Sequence, residues 1–184
     1  MKLTLLLHIC CATCAAYVLE SLRDQYNVTA YYYNPNIYPK EEYQIRFYEA
    51  KKYCKQHHIP FVEEEPDQDR WFLLTKGHEN DPERGERCVI CYKMRLERTA
   101  QYAQNHSFDL FGTDLSISPH KDAKHLNRLG KELEKAYGVK YLEADFKKRE
   151  GFKKAMELSK KQGFYRQDYC GCIYSRQARD KKRK

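Results

Sequence analysis

Cysteine is the residue type whose spacing in this chain most clearly indicates chemistry. Seven of the eight cysteines fall into three tight clusters, namely Cys10, Cys11 and Cys14, then Cys88 and Cys91, and finally Cys170 and Cys172. Adjacent cysteines cannot readily form a disulfide with each other, and a Cys-Gly-Cys pair does so only with strain. Clustered thiols at this spacing favour metal binding. The sequence therefore predicts that all seven are metal ligands and that the fold does not depend on disulfides.

The number of clustered thiols constrains the kind of metal site. Seven exceeds the four ligands of a tetrahedral zinc ion and the four cysteines of a 4Fe-4S cluster. A 4Fe-4S cluster and an adjacent mononuclear metal would together use all seven. Zinc prefers the same soft ligands, so a zinc knot with incidental buried cysteines stays open. Thiol-disulfide exchange by Cys88 and Cys91 would leave five clustered thiols unexplained, and Cys54 is expected in the core.

Alternating strands and helices must position these thiols. Residues 3–9 form an apolar run of strand length, and residues 10–14 are expected to form the loop after it. Further strands are predicted at residues 28–33, 59–62, 108–111 and 139–142, with helical patterns between them. This alternation predicts an α/β fold with a mostly parallel sheet. We expect residues 1–184 to form one domain.

Three loops should meet at one edge of this sheet. The carboxyl ends of parallel strands lie together, and ligands bind beyond them. The first cysteines follow the first strand, residues 34–36 follow the second and residues 113–118 follow the fourth. The loop after the first strand has thiols and no glycine, so it lacks the usual phosphate cradle. The sequence thus predicts metal-binding loops at the carboxyl-terminal rim.

Charge and composition indicate a polyanionic partner. The net charge is +8, and the chain has 16 Tyr, 8 Phe and one Trp. A basic surface with aromatic side chains suits nucleic acid, although a solvated lysine-rich surface over an aromatic core is an equal alternative. Residues 179–184 are expected to form a frayed basic end. No apolar stretch is long enough to predict a membrane span, and reduced thiols predict a cytoplasmic location.

Six motifs distributed over nearly the whole chain resemble one family. They are His8-Ile9-Cys10-Cys11; Tyr33-Asn34-Pro35-Asn36-Ile37 with Glu42-Tyr43 and Arg46; Glu86-Arg87-Cys88-Val89-Ile90-Cys91-Tyr92 with Arg95-Leu96; Leu115-Ser116-Ile117-Ser118-Pro119; Asp145-Phe146-Lys147-Lys148; and Tyr165-Arg166-Gln167-Asp168-Tyr169-Cys170-Gly171-Cys172. Together they resemble the QueH-type, cobalamin-independent epoxyqueuosine reductases. Gly112-Thr113-Asp114 departs from the family pattern, which leaves the role of Asp114 open.

The resemblance implies a fold, a reaction and its cofactors. The fold would be nucleotide-hydrolase-like, that is HUP-like or Rossmann-like, without an ATP motif. The reaction would be the last step of queuosine biosynthesis, reducing epoxyqueuosine to queuosine at the wobble position of a tRNA anticodon loop. A 4Fe-4S cluster would deliver electrons from an external donor. A second, mononuclear metal, expected to be iron, would act as a Lewis acid on the epoxide oxygen.

Particular residues become candidates on this interpretation. The proton donor is expected among Tyr92, Asp168, Tyr169 and His8. The modified base is expected to meet Asn34, Asn36, Tyr38, Tyr43 and Arg46. Further tRNA contacts are expected from Arg95, Ser116, Ser118 and Arg166. Two of these predictions have a purely structural alternative. His8 is also consistent with a hydrogen-bonded histidine in the core, and residues 34–36 are also consistent with a simple turn.

Two other functions stay open at this point. A zinc-stabilised tRNA-binding module would bind tRNA without redox chemistry and would be colourless. A cluster-dependent tRNA sulfur-transfer enzyme on the related scaffold would need a glycine-rich ATP-binding loop after the first strand. The absence of glycine from residues 10–14 counts against this second alternative.

Overall fold

A five-stranded, all-parallel sheet forms the centre of the computed structural model, which describes residues 1–183. The strands are β1 (Leu3–His8), β2 (Tyr26–Tyr32), β3 (Phe61–Glu63), β4 (Leu110–Thr113) and β5 (Lys140–Tyr141). Their order across the sheet is β3-β2-β1-β4-β5. The predicted α/β fold with a parallel sheet is therefore confirmed, and the first strand is central as expected from its apolar sequence.

Helices cover both faces of this sheet. They are α1 (Ala12–Leu22), α2 (Lys40–Gln56), α3 (Gln68–Leu74), α4 (Glu86–Asn105), α5 (Ala123–Tyr137), α6 (Gly151–Gln162) and α7 (Ile173–Lys182), and a 3-10 helix spans Asp114–Ile117. Helices α1, α2 and α6 pack on one face, while α3, α4 and α5 pack on the other. No helix within residues 1–183 has both the length and the apolar composition needed to cross a membrane.

The central strand β1 supplies apolar side chains to both layers of the core. Leu5 and Leu7 are fully buried against α1 and α2, whereas Leu6 is fully buried on the opposite face with α4 and α5. This division follows from the alternation of side chains along a strand. Because helices cover both faces of the sheet, the sequence of β1 is a continuous apolar run. The carboxyl end of β1 is held rigidly at the carboxyl-terminal edge of the sheet.

The first helix begins earlier than the sequence predicts. Residues 10–14 were expected to form a loop, but α1 starts at Ala12, so Cys14 lies in its first turn. The extended backbone of Cys11 precedes the helix without a side-chain cap. The segment that follows is rich in alanine, the strongest helix former, and contains neither glycine nor proline. Cys14 is therefore fixed by helical backbone and does not sit on a free loop.

The basic carboxyl-terminal segment is helical where a frayed end was expected. Helix α7 continues to Lys182, and the Sγ of Cys172 accepts a hydrogen bond from the backbone N–H of Ser175 at its start. Arg179 of this helix and Arg183, the residue that follows it, both pair with the carboxylate of Asp168. These contacts order residues 179–183, whereas Lys184 lies outside the described residues.

Candidate metal centre and substrate cleft

Direct hydrogen bonds join the three loops at the carboxyl ends of β1, β2 and β4. The amide of Asn34 donates to the carbonyl of Ile9 at 3.0 Å, which ties the loop after β2 to the end of β1. The backbone N–H of Cys10 donates to Asp114 Oδ2 at 3.3 Å, which ties in the loop after β4. The rim is therefore a single structure and not three independent loops.

The amino-terminal thiols, Cys10, Cys11 and Cys14, lie together at the start of α1. The Sγ atoms of Cys10 and Cys11 are 3.8 Å apart, and Gln167 Nε2 donates to Cys11 Sγ at 3.1 Å. Hydrogen bonds from the thiols of Cys10 and Cys14 lower the pKa of Cys11 well below its usual value. The positive end of the α1 dipole also favours a thiolate here. The group can therefore present negative sulfur to a metal ion.

The other four clustered cysteines surround a separate, small cavity, called here the four-thiol cavity. Cys88 and Cys91 come from the first two turns of α4, and Cys170 and Cys172 from the loop that leads into α7. The cavity has a volume of about 20 Å³, and its other walls are Asn36, Trp71, Arg87, Tyr92 and Arg95. All eight cysteines of the chain are free thiols.

Gly171 and Arg46 shape the loop that carries the last two thiols. Gly171 has a φ of 129°, and a Cβ at this position would stand 3.1 Å from Arg46 Nη1. Arg46 donates from Nη1 to the carbonyl of Cys170 at 3.0 Å and forms a buried ion pair with Glu42. Glycine is needed here for backbone conformation and for close approach of the guanidinium. The spacing Cys-Gly-Cys therefore has a specific conformational cause.

The donor sets fit the cofactors that the sequence suggests. Four thiols around one cavity match the all-cysteine ligand set of a 4Fe-4S cluster, and three thiols suit one soft metal ion with an open position. Within residues 1–183, no three His, Cys, Asp or Glu side chains stand close enough to share a single ion, so a mononuclear metal at the amino-terminal thiols would require those side chains to move closer together. Separation of this kind suits a cluster, because each of its thiolates binds a different iron atom.

Buried charges around the thiols include residues whose function the sequence did not settle. Asp114 is fully buried, its Oδ1 has no hydrogen-bond partner among the described residues, and burial raises its pKa well above the usual range. Lys121 is also buried, with Nζ 3.1 Å from Cys170 Sγ. Its burial has no sequence signal, because lysine is rarely buried.

An open cleft of about 340 Å³ lies beside the four-thiol cavity. Its walls include Cys10, Cys14 and Cys170, so it reaches both groups of thiols. Among the predicted site residues, it is also lined by Asn36, Arg46, Arg95, Ser118, Arg166, Asp168 and Tyr169. Asn36, Arg95 and Cys170 line the four-thiol cavity as well, so the two spaces share a wall. The cleft is the natural place for a ligand that must approach the thiols.

Several predicted substrate contacts do not line this cleft. Tyr43 packs edge-on against Tyr32 and borders a different surface pocket, beside Lys40 and Glu65. Asn34 and Ser116 are buried and hold the rim together, and Tyr38 is partly exposed outside the cleft walls. The backbone carbonyl of Tyr38 accepts the hydroxyl hydrogen bond of Tyr169 at 2.8 Å. The positions of Tyr43, Asn34, Ser116 and Tyr38 are better suited to supporting the site than to contacting the substrate directly.

The four candidate proton donors occupy very different places. His8 is fully buried, with its ring nitrogens 3.0 Å from Thr113 Oγ1 and 3.1 Å from the carbonyl of Tyr33. Burial, with the nearby charge of Arg95, lowers the pKa of His8 to about 3. Asp168 is exposed and paired with two arginines. Tyr92 lies on the four-thiol cavity and Tyr169 on the cleft.

Comparison with known proteins shows the family to which this chain belongs. The family model described as "Epoxyqueuosine reductase QueH" matches residues 5–178. An epoxyqueuosine reductase QueH of Haemophilus influenzae is 43% identical over 173 residues, covering 93% of this chain and 71% of the relative. Relatives of the same name are 41% identical in Acinetobacter baylyi, over 93% of this chain and 79% of the relative, and 34% identical in Thermotoga maritima, over 94% and 90%.

Solved structures with the same fold act on tRNA. The U34-tRNA thiolase NcsA from Methanococcus maripaludis, solved with its [4Fe-4S] cluster, has a TM-score of 0.61 at 18% identity. The match covers 95% of this chain but only 61% of that one. A predicted subunit of tRNA methyltransferase from Methanocaldococcus jannaschii has a TM-score of 0.56 at 12% identity, over 85% and 74%. These two likenesses establish the fold alone, and the family match identifies the chain as a member of the QueH family of epoxyqueuosine reductases.

Proposed function

We propose that this protein removes the epoxide oxygen of epoxyqueuosine in tRNA and so produces queuosine at the wobble position of the anticodon loop. The observation that carries the proposal is the four-thiol cavity, which shares a wall with an open cleft that also reaches the amino-terminal thiols. Membership of the QueH family supports the substrate. The proposal treats residues 1–184 as one reductase domain.

The two groups of thiols suit two different metal centres. We assign Cys88, Cys91, Cys170 and Cys172 to a 4Fe-4S cluster, because four thiols surround one cavity. The amino-terminal thiols are assigned to a mononuclear metal, expected to be iron. The tRNA thiolase that shares this fold was solved with a [4Fe-4S] cluster, which supports the expectation of a cluster in this protein. When bound, the cluster supplies electrons and the mononuclear metal a Lewis acid.

The reaction requires electrons and protons in equal number. Opening the epoxide to an alkene breaks two carbon–oxygen bonds, consumes two electrons and two protons, and releases the oxygen as water. For repeated turnover the electrons must come from an external donor, since oxidation of the chain's own thiols would release electrons only until those thiols are used up. The chain's own contribution is to bind the substrate, to orient it beside the thiols and to hold the protons.

The walls of the cleft suggest how these tasks are divided. Asn36 and Tyr169 line the space where the modified base would lie. Arg166 is exposed at the mouth, where it can contact phosphate. Burial raises the pKa of Tyr169 to about 12, so its hydroxyl keeps its proton at neutral pH. Because the hydroxyl of Tyr169 donates to the carbonyl of Tyr38, Tyr92 on the four-thiol cavity is our first choice among the candidate proton donors, and Tyr169 is the second.

Metal analysis tests the cofactor part of this proposal. Protein purified without oxygen should be brown, with visible absorption, about four sulfides and more than four irons per chain. Colourless protein that holds stoichiometric zinc and no sulfide, even after reconstitution with iron and sulfide, would instead support the zinc-stabilised tRNA-binding module. The same samples can then be tested for turnover.

A further inference from the structure

A buried lysine touches one of the proposed cluster ligands. Lys121 is 8% exposed, and its Nζ lies 3.1 Å from Cys170 Sγ and 5.9 Å from the centre of the Tyr92 ring. No carboxylate within residues 1–183 forms an ion pair with this ammonium group. A buried ammonium is costly unless something nearby compensates its charge. The contact therefore indicates that negative charge lies at Cys170 Sγ or on a group bound to it.

A buried arginine stands on the same wall. Arg95 is 2% exposed, and the only hydrogen bond that its guanidinium makes within the described chain runs from Nη1 to Asn34 Oδ1 at 3.1 Å. Its Nε and Nη2 atoms are buried and have no hydrogen-bond partner there. Arg95 lines the four-thiol cavity with Cys91 and also the cleft with Cys10. Nε and Nη2 of this buried guanidinium can therefore donate hydrogen bonds to a negatively charged group in the four-thiol cavity or in the cleft.

Both cations adjoin Cys170 from different elements of the fold. Lys121 comes from the segment just before α5, and Arg95 from the third turn of α4. Both residues line the cleft together with Cys170. Asp114 is the buried carboxylate in the same region, and it contacts the backbone of Cys10 without pairing with either cation. The cavity wall therefore carries positive charge that the protein alone does not neutralise.

We propose that Lys121 and Arg95 are positioning residues that raise the reduction potential of the 4Fe-4S cluster, an inference that rests on the proposed function. Reduction adds one electron to the cluster from an external one-electron donor and breaks no bond. The added negative charge is stabilised by nearby positive charge, and the stabilisation is strong because the site is buried. Removing either charge should make the cluster harder to reduce.

Redox titration of the reconstituted, full-length protein tests this inference. Dithionite titration should give a lower midpoint potential for Lys121→Gln than for wild type. At the midpoint potential of the wild type, we expect the ratio of reduced to oxidised cluster in Lys121→Gln to be about tenfold lower than in wild type. For a one-electron couple this corresponds to a midpoint potential lower by about 59 mV. Arg95→Gln is the independent second variant and should shift the ratio in the same direction. Lys121→Arg keeps the charge and should restore the ratio to within about threefold of wild type.

Lys124→Gln is the matched control. Lys124 is exposed on α5, three residues beyond Lys121, so its loss changes the net charge equally but should leave the potential unmoved. A merely structural role for Lys121 would lower the cluster content or the thermal stability without shifting the potential of the clusters that form. If Lys121→Gln and Arg95→Gln both bind the cluster and both keep the wild-type midpoint potential, this inference is overturned whether or not turnover is lost. That result would leave the proposed function standing. A wild-type protein that binds no cluster would overturn the proposed function as well.

Discussion

The guanidinium of Arg46 lies 3.0 Å from the carbonyl oxygen of Cys170, so a side chain of α2 holds the loop that carries the last two thiols. The same guanidinium is paired with Glu42, and both side chains are almost completely buried. Glu42 in turn accepts a hydrogen bond from the hydroxyl of Tyr165, in the segment before that loop. The position of Cys170 and Cys172 therefore depends on one buried ion pair.

Replacing Arg46 by leucine should strongly destabilise the protein. The change leaves the Glu42 carboxylate buried without its cation, which typically costs about 3–5 kcal/mol in the free energy of unfolding. Urea unfolding of the metal-free protein measures this cost. The matched control is Lys153→Ala, which breaks an ion pair with Glu150 whose side chains are both 66% exposed, and it should cost less than about 1 kcal/mol. Equal effects of the two changes would contradict the assigned role of Arg46.

Gly171→Ala should reduce cluster binding. A Cβ at Gly171 would approach Arg46 Nη1 and the Ile37 side chain at 3.1 Å and 3.3 Å, and the φ of 129° is unfavourable for any residue with a side chain. We expect less iron and sulfide per chain after reconstitution. Gly163→Ala is the control, because Gly163 has a positive φ of 68° but open space around its Cβ position. The loop assignment fails if both variants load iron and sulfide as fully as wild type.

Cys91→Ser should abolish both the cluster and the reduction of substrate. Serine removes one of the four thiols around the cavity, and its hydroxyl is a poor ligand for iron in this setting. Visible absorption and sulfide content report the loss directly. Cys54→Ala is the control, since Cys54 is buried in the core on α2 and lines neither the cleft nor the four-thiol cavity. Full turnover by Cys91→Ser would rule out its role as a cluster ligand.

Arg166→Ala should weaken tRNA binding without changing the cluster. If Arg166 contacts one phosphate, its loss lowers affinity and reduces the slope of log K against log salt by about 1. Filter binding or fluorescence anisotropy across a salt series measures both quantities. Lys135→Ala is the control, because Lys135 is exposed near the carboxyl end of α5, at the opposite edge of the sheet. The same salt slope for Arg166→Ala and wild type would exclude that phosphate contact.

Most of the fold could be predicted from apolar periodicity, but some boundaries could not. The central strand was evident because Leu5 to Leu7 form a continuous apolar run, which a doubly covered parallel strand requires. The start of α1 was missed because Cys11 occupies the capping position without capping through its side chain. The usual Ser, Thr, Asp or Asn signal is therefore absent.

The candidate site was predictable in its residue types but not in its grouping. The sequence identified seven thiols, yet only tertiary packing separates the amino-terminal three from the four that combine the start of α4 with the loop before α7. His8 and Tyr43 fit substrate chemistry by type, but packing directs His8 into the core and Tyr43 towards another pocket. Such side-chain directions depend on contacts between elements distant in sequence.

The most direct test of the account is conversion of the modified nucleoside itself. Reconstituted protein, a chemical reductant and tRNA that carries epoxyqueuosine are incubated without oxygen, and the nucleosides are then identified by mass spectrometry. The account predicts loss of one oxygen atom, giving queuosine, in wild-type protein and in Cys54→Ala but not in Cys91→Ser. Unchanged epoxyqueuosine after incubation with fully loaded wild-type protein that binds this tRNA would contradict the proposed reaction.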